Sequence, residues 1–204
     1  MDKPFSEACA RNQGPILQVL REQFAAVREV LEIGSRTGQH AVHFAAALPR
    51  LHWQCSDLAE HLGGMQLWLD EAKLPNLPPP LVLDVNGVWP QSRFDAVFTA
   101  NTLHILSWRE VQRLFDGLRQ VLSPQGLFVA YGPFKFDGQF TSLGNAQFDA
   151  SLREGDARRG IRDIEALDVL ARAVGLVRIA DHDLPAHNRC IVWCMSASTE
   201  QCLR

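Results

Sequence analysis

The chain has 204 residues, a length that favours a single domain able to fold without disulfides or a structural metal. Apolar residues make up 47% and charged residues 21% of the sequence, a balance typical of globular rather than disordered chains. The formal net charge of −3 argues against nucleic acid as a partner, because phosphate backbones are bound by basic surfaces.

Residues 5–27 are predicted to form a helical entry segment with Ser6 as its N-cap, interrupted at Gly14-Pro15 and restarted at Ile16. From there to residue 131 strands alternate with helices. The predicted strands are 30–33, 53–56, 81–83, 94–99 and 126–131, and the predicted helices are 41–48, 62–73 and 111–122. Such alternation predicts a parallel sheet with right-handed crossovers and helices on both faces.

The pattern lapses between Gly132 and Asp163, where the sequence is rich in glycine, mixed in charge and interspersed with phenylalanines. A gap of that length in a compact domain is typical of a functional loop, so we expect a lid-like insertion over 132–163. A helix over 164–174 follows, ended by Gly175. Two last strands, 176–180 and 189–195, are predicted to pair antiparallel, and residues 196–204 are predicted to be a tail outside the single domain of residues 1–195.

The cysteines and the N-terminus indicate the cellular setting. The five cysteines, at positions 9, 55, 190, 194 and 202, are odd in number and form no Cys-x-x-Cys pair, so we expect buried, reduced thiols. His40 and His43 lie three residues apart, but no acid stands at ligand spacing with them, so we expect no metal. Because the N-terminus lacks a signal pattern and no apolar run approaches about 18 residues, we expect a cytoplasmic protein away from membranes, a monomer or homodimer.

The segment from Glu32 to Gly38, with the sequence EIGSRTG, follows a predicted strand and opens a predicted helix. Gly34 and Gly38 permit a tight turn and close approach of a ligand to the backbone, and the helix N-terminus favours anionic groups. Asp57 ends the next strand about 20 residues later, where an acid can accept hydrogen bonds from ribose hydroxyls. Asp84 ends the third strand, within reach of an adenine amino group. The alternative interpretation is a chance glycine turn with each acid serving only as a helix cap.

The glycine spacing discriminates between nucleotides. A dinucleotide fingerprint requires G-x-G-x-x-G, whereas here Arg36 occupies the place of the middle glycine. An acid two residues before Gly34, and glycines four apart, instead approach the E/D-x-G-x-G-x-G loop of class I methyltransferases. The two terminal strands also resemble the last two strands of that fold.

Several further sequence blocks, in order, cover nearly the whole chain. They are Ser6 to Asn12 (SEACARN), Leu31 to His40 (LEIGSRTGQH), Trp53 to Asp57 (WQCSD), Asn101 to Ile105 (NTLHI), Tyr131 to Phe134 (YGPF), Phe148-Asp149, Gly160 to Asp163 (GIRD) and Leu184 to Asn188 (LPAHN). With these blocks the chain resembles the methyltransferase-like proteins grouped as domain of unknown function 938. The sequence departs from that family at Arg36, where the loops usually have glycine, and at His187, where a second asparagine is expected.

The resemblance implies an α/β, Rossmann-like class I methyltransferase fold: a seven-stranded, mostly parallel sheet with an antiparallel last strand. It also implies binding of S-adenosylmethionine (SAM), and it names no substrate. The expected cofactor-binding residues are Arg11, Asn12, Glu32, Gly34, Ser35, Gly38, His40, Asp57, Leu58, Asp84, Val85 and Asn101. Among them, Arg11 is expected to pair with the cofactor's carboxylate, Asn12 to close over the site and Asn101 to orient the sulfonium.

We therefore predict a SAM-dependent methyltransferase that acts on a small-molecule acceptor. His104 is the candidate general base, because an imidazole ordinarily titrates near neutral pH, and Tyr131 is the candidate catalytic residue facing the acceptor. The candidate substrate-binding residues are Phe134, Asp149, Arg162 and Asn188. Two alternatives stay open: a module that binds SAM without catalysis, and an NAD-dependent oxidoreductase, which the missing middle glycine disfavours.

Overall fold

The computed structural model describes residues 3–196, with a seven-stranded sheet at the centre of the fold. In chain order the strands are β1 (Glu29–Ile33), β2 (His52–Asp57), β3 (Leu81–Val82), β4 (Phe94–Ala100), β5 (Leu122–Gly132), β6 (Phe134–Phe136), β7 (Gln139–Phe140), β8 (Arg162–Asp163), β9 (Leu176–Leu184) and β10 (Asn188–Met195). The helices are α1 (Glu7–Gln23), α2 (Gln39–Ala47), α3 (Ala59–Ala72), α4 (Trp108–Val121), α5 (Leu143–Gly155) and α6 (Ile164–Ala173).

The strand order of the main sheet is β3-β2-β1-β4-β5-β10-β9. β10 runs antiparallel to both of its neighbours and lies between β5 and β9, while the other pairs are parallel. The predicted mostly parallel sheet with an antiparallel last strand is therefore confirmed. After β3 the chain crosses back to the other side of β1, so a topological switch point lies between β1 and β4, where open α/β sheets bind ligands.

The two faces of the main sheet are covered by separate hydrophobic cores. One core packs α4 and α6 on a face that includes Leu31, Val97, Phe128 and Ile191; the other packs α1, α2 and α3 on a face that includes Val30, Phe98, Val129 and Val192. Because successive residues of a strand point to opposite faces, strands buried on both sides are almost continuously apolar. Helices therefore cover both faces, as the alternation predicted.

Helix α1 is continuous, so the predicted interruption at Gly14-Pro15 is wrong. Pro15 removes one backbone N–H from the helix and so leaves the Arg11 carbonyl without its usual intrahelical partner. The helix persists because the turns after the proline bury Ile16, Val19 and Leu20 completely or nearly so. Ser6 caps the N-terminus as predicted, accepting a hydrogen bond from the Cys9 N–H at 3.3 Å.

The segment 132–163 is more ordered in secondary structure than its sequence suggested. It contains β6, β7, α5 and β8, and these three short strands form a second sheet with the order β7-β6-β8. Strands of two or three residues are too short to show a period, and α5 begins at an N-cap, Ser142, that the pattern did not reveal. A lid role for the segment stays a prediction.

Smaller differences concern helix starts and thiols. α4 begins at Trp108, three residues before the prediction, because Ser107 and Glu110 form a reciprocal capping box. The predicted buried thiols are found at Cys55 and Cys190, whereas Cys9 and Cys194 are partly exposed. Cys202 and the predicted tail beyond residue 196 lie outside the described residues.

Among residues 3–196 no helix has the length and apolar character needed to cross a bilayer, and no three potential metal ligands cluster together.

Candidate cofactor and acceptor site

The turn between β1 and α2 has three residues in left-handed conformations: Gly34 (φ +75°), Arg36 (φ +47°) and Gly38 (φ +84°). The Gly34 and Ser35 N–H groups both donate to the Ser56 carbonyl at 3.0 Å, which fixes the turn against the end of β2. A Cβ atom on Gly34 would lie 2.7 Å from Oγ1 of Thr102, so the protein's own packing also requires this glycine. The turn places the N-terminus of α2 at the carboxyl edge of the sheet.

Glu32 lies beneath this turn with 1% of its surface exposed. Its carboxylate accepts a hydrogen bond from Nε1 of Trp53 at 2.8 Å. Burial raises the pKa of Glu32 to about 7, and the bond from Trp53 opposes the rise. Ser35, also buried, links the same region by accepting from the Ser56 N–H at 3.2 Å. The side chain of Glu32 is thus held inside the protein as a support of the turn.

Asp57, the last residue of β2, has a nearly buried carboxylate with three partners. Its Oδ2 accepts from the Arg36 N–H at 2.7 Å, and its Oδ1 accepts from the Leu58 N–H at 2.7 Å and from His61 Nδ1 at 2.6 Å. The side chain of Leu58 is exposed beside it.

Asp84 lies at the same edge of the sheet as Asp57. Asp57 pairs with Val82 in the parallel β2–β3 register, and the Leu83 N–H donates to the Asp57 carbonyl at 2.9 Å. The carboxylate of Asp84 is exposed and accepts from the Asn86 N–H at 2.8 Å, while Val85 is buried. Both acids therefore stand at the carboxyl ends of adjacent strands, on one edge.

The first half of α1 packs on the start of α2 through polar contacts. Nε2 of His40 lies 2.7 Å from Oδ1 of Asn12, and both residues are buried. An amide oxygen only accepts, so His40 carries its proton on Nε2. Burial lowers the pKa of His40 to about 4, which keeps the ring neutral. The Gln39 side chain donates to and accepts from the backbone of Ser6, the N-cap of α1. Arg11, also on α1, is exposed.

The other side of the switch point is formed by the ends of β4 and β5. Asn101 has a left-handed conformation (φ +56°), and its N–H donates to the Tyr131 carbonyl at 2.8 Å. His104 is buried, with its ring edge-on to Phe148 at 5.2 Å between centroids. Burial, and the charge of Arg162, lower the pKa of His104 to about 4. The expectation of a histidine that titrates near neutral pH is therefore wrong, because desolvation disfavours the imidazolium.

Tyr131 is buried at the end of β5, and burial raises the pKa of its hydroxyl, with a hydrogen bond from Asn12 acting in the opposite direction. The hydroxyl is therefore protonated at neutral pH. Through its hydrogen bond with Asn12, the Tyr131 hydroxyl connects the end of β5 to the contact between Asn12 and His40.

The four candidate substrate-binding residues have partners inside the protein. Phe134 belongs to the core with 2% of its surface exposed, so packing replaces the predicted substrate contact. Asp149 accepts from the Ile161 N–H at 2.6 Å and from Arg153 Nε at 2.7 Å. The side chain of Asn188 donates to the Pro185 carbonyl at 3.2 Å.

Arg162 is buried and donates to three backbone carbonyls, those of Leu103 (3.0 Å), Arg158 (3.1 Å) and Leu106. These bonds tie segment 132–163 to the loop that carries His104. The guanidinium of Arg162 thus bonds to the protein's own backbone at the position where the sequence predicted a substrate contact.

Three residues that the sequence did not single out for the site take part in it: Trp53 on Glu32, Thr102 against Gly34, and His61 on Asp57. His61 follows Asp57 by four residues, a spacing that brings side chains together at a helix start. That spacing was the one available signal. The indole and threonine contacts join strands distant in sequence and leave no local pattern.

A family model described as "Protein of unknown function (DUF938)" matches residues 3–195. Among solved structures, an O-methyltransferase family protein from Burkholderia thailandensis superposes with a TM-score of 0.81 at 16% identity, over 95% of this chain and 59% of that one. Human N-acetylserotonin methyltransferase in complex with SAM gives a TM-score of 0.78 at 13% identity, over 94% and 53%. The SAM-dependent methyltransferase SibL in its apo form gives 0.78 at 19%, over 92% and 55%. This chain thus spans little more than half the length of these proteins, and the likeness shows a shared methyltransferase fold.

Proposed function

This chain belongs to the DUF938 family, and we propose that it is a SAM-dependent methyltransferase that acts on a small-molecule acceptor. The observation that carries the proposal is the shared edge on which the glycine turn, Asp57 and Asp84 stand beside the switch point. Structural neighbours named as methyltransferases, one of them in complex with SAM, support the same interpretation.

The residues at this edge fit an adenosyl group. Gly34 and Gly38 carry no side chains at the two ends of the turn before α2. The free lone pair of Asp57 on Oδ2 can accept from a ribose hydroxyl, and the exposed carboxylate of Asp84 can accept from an adenine amino group. Arg11, exposed on α1, is the proposed partner of the methionine carboxylate. When bound, SAM supplies a methyl group on a positively charged sulfur.

The protein's part in such a transfer is chiefly to hold the acceptor in line with the methyl group, which can contribute several kcal/mol to the barrier reduction. We assign the orientation of the reacting groups to Asn101 and to the protonated hydroxyl of Tyr131. His104 is unprotonated at neutral pH and can therefore accept a proton, but its pKa of about 4 makes it a weak base. This favours an acceptor that is a good nucleophile without strong assistance.

The weak basicity of His104 and the side chain of Arg36 in the turn also fit the second candidate, a module that binds SAM without catalysis. The two candidates share the cofactor site and differ only in transfer. An NAD-dependent oxidoreductase is disfavoured because the turn lacks the middle glycine that lets a backbone approach a pyrophosphate.

The test combines binding with transfer. We expect calorimetry to show binding of SAM and S-adenosylhomocysteine to the wild type, and Asp57→Asn to weaken binding about tenfold or more, because a charged acceptor is lost. Asp116→Asn, on the exposed side of α4, is the matched control and should bind as the wild type does. Methyl-labelled SAM incubated with fractionated metabolites should then label one fraction.

Absence of SAM binding by the wild type, or equal affinity of the Asp57→Asn variant, would overturn the proposal. Binding of SAM with no labelled product in any fraction would favour the silent module over the enzyme.

A further inference from the structure

The side chains of Arg36, His61 and Asp57 form a continuous series of hydrogen bonds. The series ends on the Asp57 carboxylate, to which ribose binding is assigned. Nη1 of Arg36 contacts Nε2 of His61, and Nδ1 of His61 lies 2.6 Å from Oδ1 of Asp57. Arg36 comes from the glycine turn and His61 from the first turns of α3, so the series joins the turn after β1 to the helix after β2. Neither residue has a place in the proposed reaction.

The donors and acceptors of this series are mutually consistent. A guanidinium only donates, so Nε2 of His61 must accept; the proton of the neutral ring is then on Nδ1, which donates to Asp57. The carboxylate of Glu60 lies 3.8 Å from the same Nε2 and is the other charged group facing the ring. The side chain of His61 is 23% exposed. The ring is therefore mostly packed against the protein, but it has a path through solvent by which it can move away from Asp57.

The conformation of Arg36 indicates that its contacts compensate for strain. A residue other than glycine at φ +47° is disfavoured by contact of its Cβ with the backbone. Here the Arg36 N–H donates to Oδ2 of Asp57 at 2.7 Å while its side chain reaches His61. A glycine would relieve the strain and retain the first contact, but only a long donor side chain makes the second.

Asp57 does not have enough free lone pairs for a ribose while His61 stays in place. A carboxylate accepts about four hydrogen bonds, and three are already made, two of them on Oδ1. The two hydroxyls of a ribose need one acceptor position each, and one position on Oδ2 is left. We propose that Arg36 and His61 form a latch on Asp57, which a ribose-bearing ligand opens by displacing His61 from Oδ1.

This inference rests on the proposed function, since it takes the same carboxylate as the ribose site. It predicts that the free protein keeps its cofactor site closed and that binding is weaker than the site would otherwise allow. Removing the latch should therefore tighten binding, whereas loss of an ordinary binding residue weakens it.

The first measurement needs no ligand. Nitrogen-15 NMR of the histidine rings in the free protein should show His61 as the neutral tautomer protonated on Nδ1, and Arg36→Gly should weaken that preference, because Nε2 loses its donor while Nδ1 can still donate to Asp57. S-adenosylhomocysteine should then shift the His61 signals as the ring leaves Asp57. A ring protonated on Nε2 in the free wild type would overturn the latch whatever the protein binds.

The second measurement compares affinities for S-adenosylhomocysteine by calorimetry. We expect His61→Ala and Arg36→Gly each to bind about fivefold more tightly than the wild type, the scale of one net hydrogen bond. His52→Ala, at an exposed histidine that pairs with Glu29 at the opposite end of β2, should bind as the wild type does.

The outcomes separate the two proposals. If the wild type binds and both latch variants bind equally or more weakly, the latch is overturned and the cofactor site stands. If the free protein shows the Nδ1-protonated ring but neither wild type nor variants bind S-adenosylhomocysteine, the proposed function fails and displacement by ribose fails with it.

Discussion

Replacing Glu32 by glutamine tests whether a protonatable carboxyl supports the glycine turn. The side chain is 1% exposed, and burial raises its pKa from 4.5 to about 7. Glutamine keeps an oxygen to accept the Trp53 indole N–H, and its amide can donate toward Ser35, so the substitution removes the titration without removing the hydrogen bond.

The sign and size of the effect follow from proton linkage. The folded protein holds the Glu32 proton more tightly than the unfolded chain, so the stability that this group contributes is complete below about pH 4.5. That contribution is lost progressively as the pH rises towards 7. A shift from 4.5 to about 7 corresponds to roughly 3 kcal/mol. Relative to the wild type, Glu32→Gln should gain about 2 to 3 kcal/mol in free energy of unfolding between pH 5 and pH 8.

Urea unfolding of both proteins at pH 5 and pH 8 measures this difference, with Glu22→Gln on the exposed side of α1 as the control. The control should leave the free energy of unfolding unchanged relative to the wild type at both values. If the difference between Glu32→Gln and the wild type is the same at both pH values, the carboxyl is ionised throughout and its assignment as a buried, protonated support is refuted.

Three other outcomes follow from the structure. Gly34→Ala should destabilise the fold by at least about 1 kcal/mol in urea unfolding, since φ is +75° and the new Cβ would meet Thr102, whereas Gly14→Ala, on an open helical site, should stabilise it by about 0.5–1 kcal/mol; equal effects would contradict the reasoning. Arg162→Met should lose about 3 kcal/mol, one for each of three carbonyl contacts, and a loss within experimental error would show that water replaces them. If methyl transfer is detected, its rate should show no ionisation of His104 between about pH 5.5 and 8, because a ring with a pKa of about 4 is already neutral there; an inflection near 6.5 that His104→Asn removes would contradict the burial argument.

The main sheet could be predicted from the sequence because its signals are local. The run from Phe94 to Thr99 is apolar enough for a strand buried on both faces, and it forms the central strand β4. Gly175, which ends α6 with φ +88°, likewise marks a helix end by its own conformational freedom. The positions of Asp57 and Asp84 on one edge follow from strand direction alone once the strands are parallel.

The parts that could not be predicted depend on contacts between distant segments. The continuity of α1 through Pro15 depends on the apolar face that this helix buries against the sheet, which outweighs one lost hydrogen bond. The low pKa of His104 depends on the burial of its ring and on the charge of Arg162, which comes from a distant segment. The contact of Arg36 with His61 depends on the left-handed turn, which brings these two side chains together. None of these contacts leaves a period or a spacing in the sequence.

A crystal structure of the protein grown with S-adenosylhomocysteine would show directly where an adenosyl group binds. We expect the adenosyl group to lie along the carboxyl edge of the sheet, with its ribose on Asp57, its adenine near Asp84 and its sulfur facing Asn101. An adenosyl group bound anywhere else, or a cleft in which His61 still holds Asp57 beside a bound ligand, would contradict it.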